Sequence, residues 1–214
     1  MPKGTIKSKS FYIDTNIAID FATNRDIQTV LVLERIKEKG WKCVSSTFLA
    51  MELADYQQDY AYINKEISKK RNPEDILRSR GSKNLKASDL QESEEWFGEF
   101  SQRFKNLTLY DFISDQNGWA LAREISFNSN LSAPDVLHLT SAILGSIGGY
   151  CDFLMTKDGV LRKEAEKILP KYKGVKLKVV DVAEVKKKRE FFCLFRVGRV
   201  GQGKERKARR KNRR

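Results

Sequence analysis

Short apolar runs, most of them followed by a helix-length pattern, recur along this chain, and that alternation leaves few folds open to it. Residues 11–13, 41–44, 153–156 and 175–182 have the aromatic and β-branched character of buried strands, and 107–112 reads as a short strand or an extended connection. Helical patterns fit 15–22, 27–39, a long stretch opening after Ser45-Ser46-Thr47, a stretch from Ser88 through Trp96, Phe97, Phe100 and Phe104, then 116–125, 132–147 and 160–169. Strands joined through helices need crossover connections, which are right-handed and give a mostly parallel sheet covered on both faces. The expected class is α/β. Within it, residues 69–87, with Asn72-Pro73 and Gly81, read as a loop-rich surface elbow inside a helical and loop insertion of about 64–106. Ser88 and Gln91 fit a capping box at its end.

In such a sheet, ligands bind outside the carboxyl ends of the strands. The acidic residues that fall there are few. Asp14 ends the first strand, Asp158 ends the strand at 153–156, and Asp135 opens the helix that feeds that strand. Glu52 lies about one turn into the helix after the second strand. Each has an ordinary structural reading: Asp14 as a helix cap, Asp135 as the partner of Ser132 in a capping box, Asp158-Gly159 as a turn, Glu52 as a half-exposed helix residue. Topology, however, carries all four to one edge. Converging carboxylates repel and raise one another's pKa unless cations neutralise them, and oxygen-only ligation suits Mg²⁺ or Mn²⁺. Divalent ions so held activate water and stabilise a leaving oxygen, which makes phosphodiester hydrolysis the natural reaction.

Charge divides the chain in two. Of the net +13, residues 186–214 carry +12, with 14 basic residues against Glu190 and Glu205. The expected domain therefore spans 1–185 and is near neutral, and 186–214 forms a basic tail. Lys186, Lys187, Lys188, Arg189, Arg209 and Arg210 offer sequence-independent phosphate contacts, or else the tail is a solvated end. Between its basic blocks lies the apolar run Phe191-Phe192-Cys193-Leu194-Phe195, suited to docking on the domain or on a partner. Three scattered cysteines without a CxxC exclude a disulfide framework and a zinc site. With no apolar signal at 1–10 and no run long enough to span a bilayer, a soluble, cytoplasmic protein is expected, without a membrane partner.

Four segments, Tyr12-Ile-Asp14-Thr-Asn16, Ser46-Thr-Phe-Leu-Ala-Met-Glu52, Pro134-Asp135-Val-Leu-His-Leu-Thr-Ser-Ala142 and Asp152-Phe-Leu-Met-Thr156-Lys-Asp158, resemble in order the motifs of PIN-domain nucleases, the VapC-like toxins above all. The resemblance covers residues 11–182. It implies a PIN-like three-layer fold and a metal-dependent endoribonuclease whose catalytic, metal-binding quartet is Asp14, Glu52, Asp135 and Asp158. It also implies an RNA substrate, an antitoxin partner and a homodimer, with Asn16 and Thr156 in support. The alternatives are a non-catalytic RNA-binding module and an RNA-processing nuclease outside toxin–antitoxin systems.

Other chemistries fit less well. A haloacid-dehalogenase-like phosphatase carries a second Asp where this chain has Asn16, and no Walker-type loop is present. His138 is the single histidine, which excludes a paired-histidine ribonuclease, and it is expected to pack or hydrogen-bond one turn after Asp135. Asp152 is expected to be structural.

Overall fold

The computed structural model describes residues 8–83 and 85–187. The chain divides into two compact units, Met1–Val182 and Ala183–Arg214, and the five strands among the described residues all belong to the first. Lys188, Arg189, Arg209, Arg210 and the run 191–195 lie outside the described residues.

β1 (Ser10–Ile13) passes through Asp14 alone into α1 (Thr15–Thr23), and α2 (Ile27–Glu38) leads on to β2 (Lys42–Ser46). α3 (Phe48–Ser68), α4 (Pro73–Ser79) and α5 (Ala87–Arg103) precede β3 (Leu107–Tyr110). α6 (Gln116–Phe127) and α7 (Ala133–Ile147) return the chain to β4 (Phe153–Met155). α8 (Gly159–Ile168), β5 (Lys178–Val180) and α9 (Val182–Lys187) complete the described elements. The strand order is β3-β2-β1-β4-β5, and every neighbouring pair is parallel. The α/β class and the parallel sheet flanked by helices follow the sequence expectation.

Burial explains why the strands are apolar throughout rather than alternating, since a parallel sheet is covered on both faces. Tyr12, Val44 and Leu154 pack with Ala122 and Ile125 of α6, Val136, Leu139 and Ile143 of α7, and Leu161 and Ala165 of α8. On the opposite pleat Phe11 stacks between Trp41 and Phe153, with ring centroids 5.9 and 5.0 Å away. Phe11 and Ile13 are fully buried, which stabilises the fold by about 1.5–3 kcal/mol each relative to exposure.

Several local readings change. β2 extends through Ser45 and Ser46, which are buried strand residues and not caps; Ser45 Oγ donates to Ile13 O at 2.8 Å. Thr47 precedes α3 without a side-chain cap. Asn72-Pro73, which reads as a breaker, starts α4 instead: Asn72 Oδ1 accepts from Glu74 N–H, and proline occupies the first turn, where its missing N–H costs nothing. Arg80 and Lys83, just beyond α4, pair with Asp59 and so fasten this segment to α3. The capping contact of α5 is Asp89 Oδ2 accepting from Lys86 N–H at 2.8 Å, in place of Ser88 and Gln91. β5 is three residues long, and Val182, expected to end the last strand, instead begins a helix that runs through Lys187.

Candidate functional site

From β1 the chain moves to one side of the sheet through β2 and β3, then returns to β4 and β5 on the other. The order reverses beside β1, and the crevice at such a switch point, outside the carboxyl ends of the strands, is where open α/β sheets bind ligands. Asp14 and Thr156 occupy that crevice. Ile13 and Met155 are register partners, Asp14 N–H donates to Met155 O at 3.2 Å, and Thr156 Oγ1 donates to Asp14 Oδ2 at 2.8 Å. The other carboxylate oxygen of Asp14 accepts from Thr15 N–H at 2.8 Å. Thr156 Oγ1 in turn accepts from Asp158 N–H at 2.9 Å, so one hydroxyl ties the two strand-end acids together.

Two further elements complete the cluster. α3 brings Glu52, whose Oε2 accepts from Thr15 Oγ1 and lies 2.5 Å from His138 Nε2. α7 brings Asp135 in its first turn and His138 in its second. The imidazole is buried, with Nε2 2.9 Å from Thr15 Oγ1 and 4.0 Å from Asp14 Oδ1, and Nδ1 2.9 Å from Tyr12 Oη. Phe48 and Tyr12 meet its ring edge-on, at 5.7 and 5.9 Å between centroids. One histidine thus joins β1, α1, α3 and α7.

The electrostatics follow from burial. Asp14 is 2% exposed. Burial raises its carboxyl above the ordinary value and the Asp135 charge adds to this, against the lowering effects of His138, Thr156 and the Thr15 N–H. Burial alone would depress His138, but Tyr12, the Glu52 hydrogen bond and the Asp14 charge outweigh it and hold the imidazole at about 10. The two ring nitrogens are engaged on opposite sides, Nδ1 with Tyr12 Oη and Nε2 with Glu52 Oε2.

Asp135 and Asp158 take their capping roles as well. Asp135 N–H donates to Ser132 Oγ, which donates to Asp135 Oδ2 at 2.6 Å. Asp158 Oδ1 accepts from Val160 N–H and Leu161 N–H at the start of α8. It lines an open cavity of about 630 Å³ with Asn16, Asp20, Arg25, Asp26 and Lys157. There Asp20, 2% exposed, pairs with Arg25 Nε at 2.6 Å and Lys157 Nζ at 2.7 Å, and Lys157 also reaches Asp26 Oδ2 at 2.7 Å. Asp152 accepts from Ser10 N–H and Oγ at the start of β4.

The structure thus brings Asp14, Glu52, Thr156 and His138 into one hydrogen-bonded group, and Asp135 into electrostatic range of Asp14. Asn16 and Asp158 share the adjoining cavity. The oxygen donors of Asp14, Glu52 and Asp135 fit a hard cation in chemistry, and the raised pKa of buried Asp14 marks a carboxylate whose charge a cation would relieve. They do not form a closed cage: among the described residues no three acidic, His or Cys side chains are gathered as an ion site.

Sequence reasoning passed over Thr15, Asp20 and Lys157. Asp20 left a signal, a carboxylate within the apolar run Ile17-Ala18-Ile19-Asp20-Phe21. His138 also left one, because positions 135 and 138 share a helix face.

No protein-family model matches the sequence, and no curated protein matches it significantly. Among solved structures the chain is similar to a chain in the crystal structure of VapBC2 from Rickettsia felis bound to a DNA fragment from their promoter. That match has a TM-score of 0.45 and 14% identity, and covers 79% of this chain and 98% of the other. A likeness this distant assigns no activity. No helix among the described residues is long and apolar enough to cross a membrane.

Proposed function

We propose that this chain is a PIN-like, Mg²⁺- or Mn²⁺-dependent endoribonuclease that hydrolyses RNA phosphodiester bonds and acts as the toxin of a toxin–antitoxin pair. The observation that carries the reading is the buried Asp14 carboxylate at the sheet's switch point, held between Thr156 and the Thr15 N–H, with Glu52 reached through Thr15. Asp14, Glu52 and Asp135 would hold the ion, with Asp158 as the fourth carboxylate. Bound there, the ion would polarise the scissile phosphate and stabilise the leaving oxygen. The chain's own residues do the rest. Thr156 fixes the Asp14 carboxylate, His138 and Thr15 set the direction of Glu52, and Asn16, exposed, lines the cavity it shares with Asp158. His138, 1% exposed and alone, serves to orient rather than to exchange protons with RNA.

The test is cleavage of single-stranded and structured RNA by the purified full chain. Activity should need Mg²⁺ or Mn²⁺, vanish with EDTA and drop by a factor of about 10² or more in Asp14→Asn. Equal cutting by that variant would falsify the assignment.

A second reading, an RNA-binding module that does not turn over, has one observation in its favour: Glu52 and Asp158 already give oxygens to His138 and to the start of α8. RNA bound by the full chain and never cleaved with either ion would select it. An antitoxin partner has its own check, a small adjacent reading frame encoding a DNA-binding protein, and the homodimer is read from solution mass.

A further inference from the structure

Because the sheet is wholly parallel, every strand starts at the edge opposite the carboxylate cluster, and that second edge is basic. Lys9 precedes β1, Lys42 opens β2 as the register partner of Ser10, and Lys178 opens β5 opposite Phe153. Lys42 and Lys176 line a cavity of about 580 Å³ with Tyr110, Tyr150 and Ser146, and it adjoins a second of about 220 Å³ lined by Lys9, Phe153 and Lys178. Against these four lysines the two cavities hold one acidic residue, Asp152, whose carboxylate accepts from Ser10. Lys42, Lys176 and Lys178 are exposed.

The aromatic floor is built rather than incidental. Tyr150 follows Gly148-Gly149 at the end of α7, and a Cβ on Gly148 would lie 2.8 Å from the Tyr150 ring, so only glycine lets the ring lie there. Gly149 takes φ +74°, which turns the chain at no steric cost. The ring rests against Tyr110 and Phe112, with centroids 4.8 and 5.8 Å away, and stays 46% exposed. Ser146 Oγ, in the same wall, is buried without a hydrogen-bond partner.

We propose that this edge is a second nucleic-acid contact, a groove that takes a single-stranded polynucleotide with phosphates on Lys42, Lys176 and Lys178 and a base on Tyr150. Lysines beside a fixed, half-open aromatic ring are what a single strand needs: charge for its backbone and a face for its base. An acidic peptide would use the lysines and leave Tyr150 idle. The groove is independent of cleavage, because it lies across the sheet from Asp14.

The test uses the full chain in EDTA, so that binding is read without turnover and its failure leaves the nuclease reading standing. Anisotropy of a labelled 12-nucleotide oligouridylate gives affinity against salt. Lys42→Ala, Lys176→Ala and Lys178→Ala combined should flatten the slope of log K against log salt by about 2, near 0.7 per lost phosphate contact. Tyr150→Ala should weaken binding about fivefold or more, and Tyr150→Phe should restore it. An unchanged slope in the triple variant, or loss in Tyr150→Ala that Tyr150→Phe does not restore, overturns the proposal. So does polyglutamate binding as tightly as the oligonucleotide.

Discussion

Thr156 shows how much one hydroxyl carries. Its Oγ1 donates to Asp14 and accepts from the Asp158 N–H, and the residue is fully buried, so no water stands in for it. Thr156→Val keeps the shape and leaves a buried carboxylate oxygen and a backbone N–H without that partner. The expected loss is about 1–3 kcal/mol in urea unfolding, with Thr156→Ser recovering most of it. At this scale the sequence was legible where a residue's role is local. Asp14, Asp135 and Asp158 sit at helix starts, as their places in the chain imply. His138 was legible as a packing or hydrogen-bonding residue but its partners were not, because Tyr12, Thr15 and Glu52 lie 126, 123 and 86 residues away and only the folded sheet brings them together.

Among elements, the connection from α1 to α2 is held by charge. Asp26 caps α2 through Gln28 N–H and Thr29 Oγ1, and Lys157, one residue before Asp158, reaches across to it. The Lys157 hydrogen bond, helped by Thr29 and the Gln28 N–H and opposed by burial, lowers the Asp26 carboxyl from 3.8 to about 2. Asp20, Arg25 and Asp158 line the same cavity. A depressed carboxyl stabilises the fold above its unfolded pKa and loses that contribution as pH falls through its folded one. Acid unfolding followed by circular dichroism should therefore steepen between about pH 4 and 2. Asp26→Asn, which keeps a capping oxygen without the charge, should flatten that limb. The elements themselves were readable where apolar pattern and burial agree, as in β1, β4 and α7. They were misread where polar residues are buried or breakers act as caps. Ser45 and Ser46 lie inside β2 because packing overrides their preference for turns, and Asn72-Pro73 begins a helix because proline is tolerated in a first turn.

For the whole molecule, the parallel sheet sets two edges with opposite character, acids where strands end and lysines where they begin. Four strand residues at roughly 3.3 Å each put the two edges about 13 Å or more apart, so a single strand of RNA would need several nucleotides to reach both. The chain also holds one histidine among 214 residues, and that histidine stands among the acids. A uniformly ¹⁵N-labelled sample therefore has a single imidazole spin system, assigned without mutagenesis. Mg²⁺ added at the acidic edge should move those two ring nitrogens, Nε2 more than Nδ1, since Nε2 faces Glu52 and Thr15 whereas Nδ1 faces Tyr12. An oligonucleotide seated only on the lysine edge should leave them where they are. The lone imidazole is in effect a resident spectrometer probe, able to report which edge of the sheet a ligand has found.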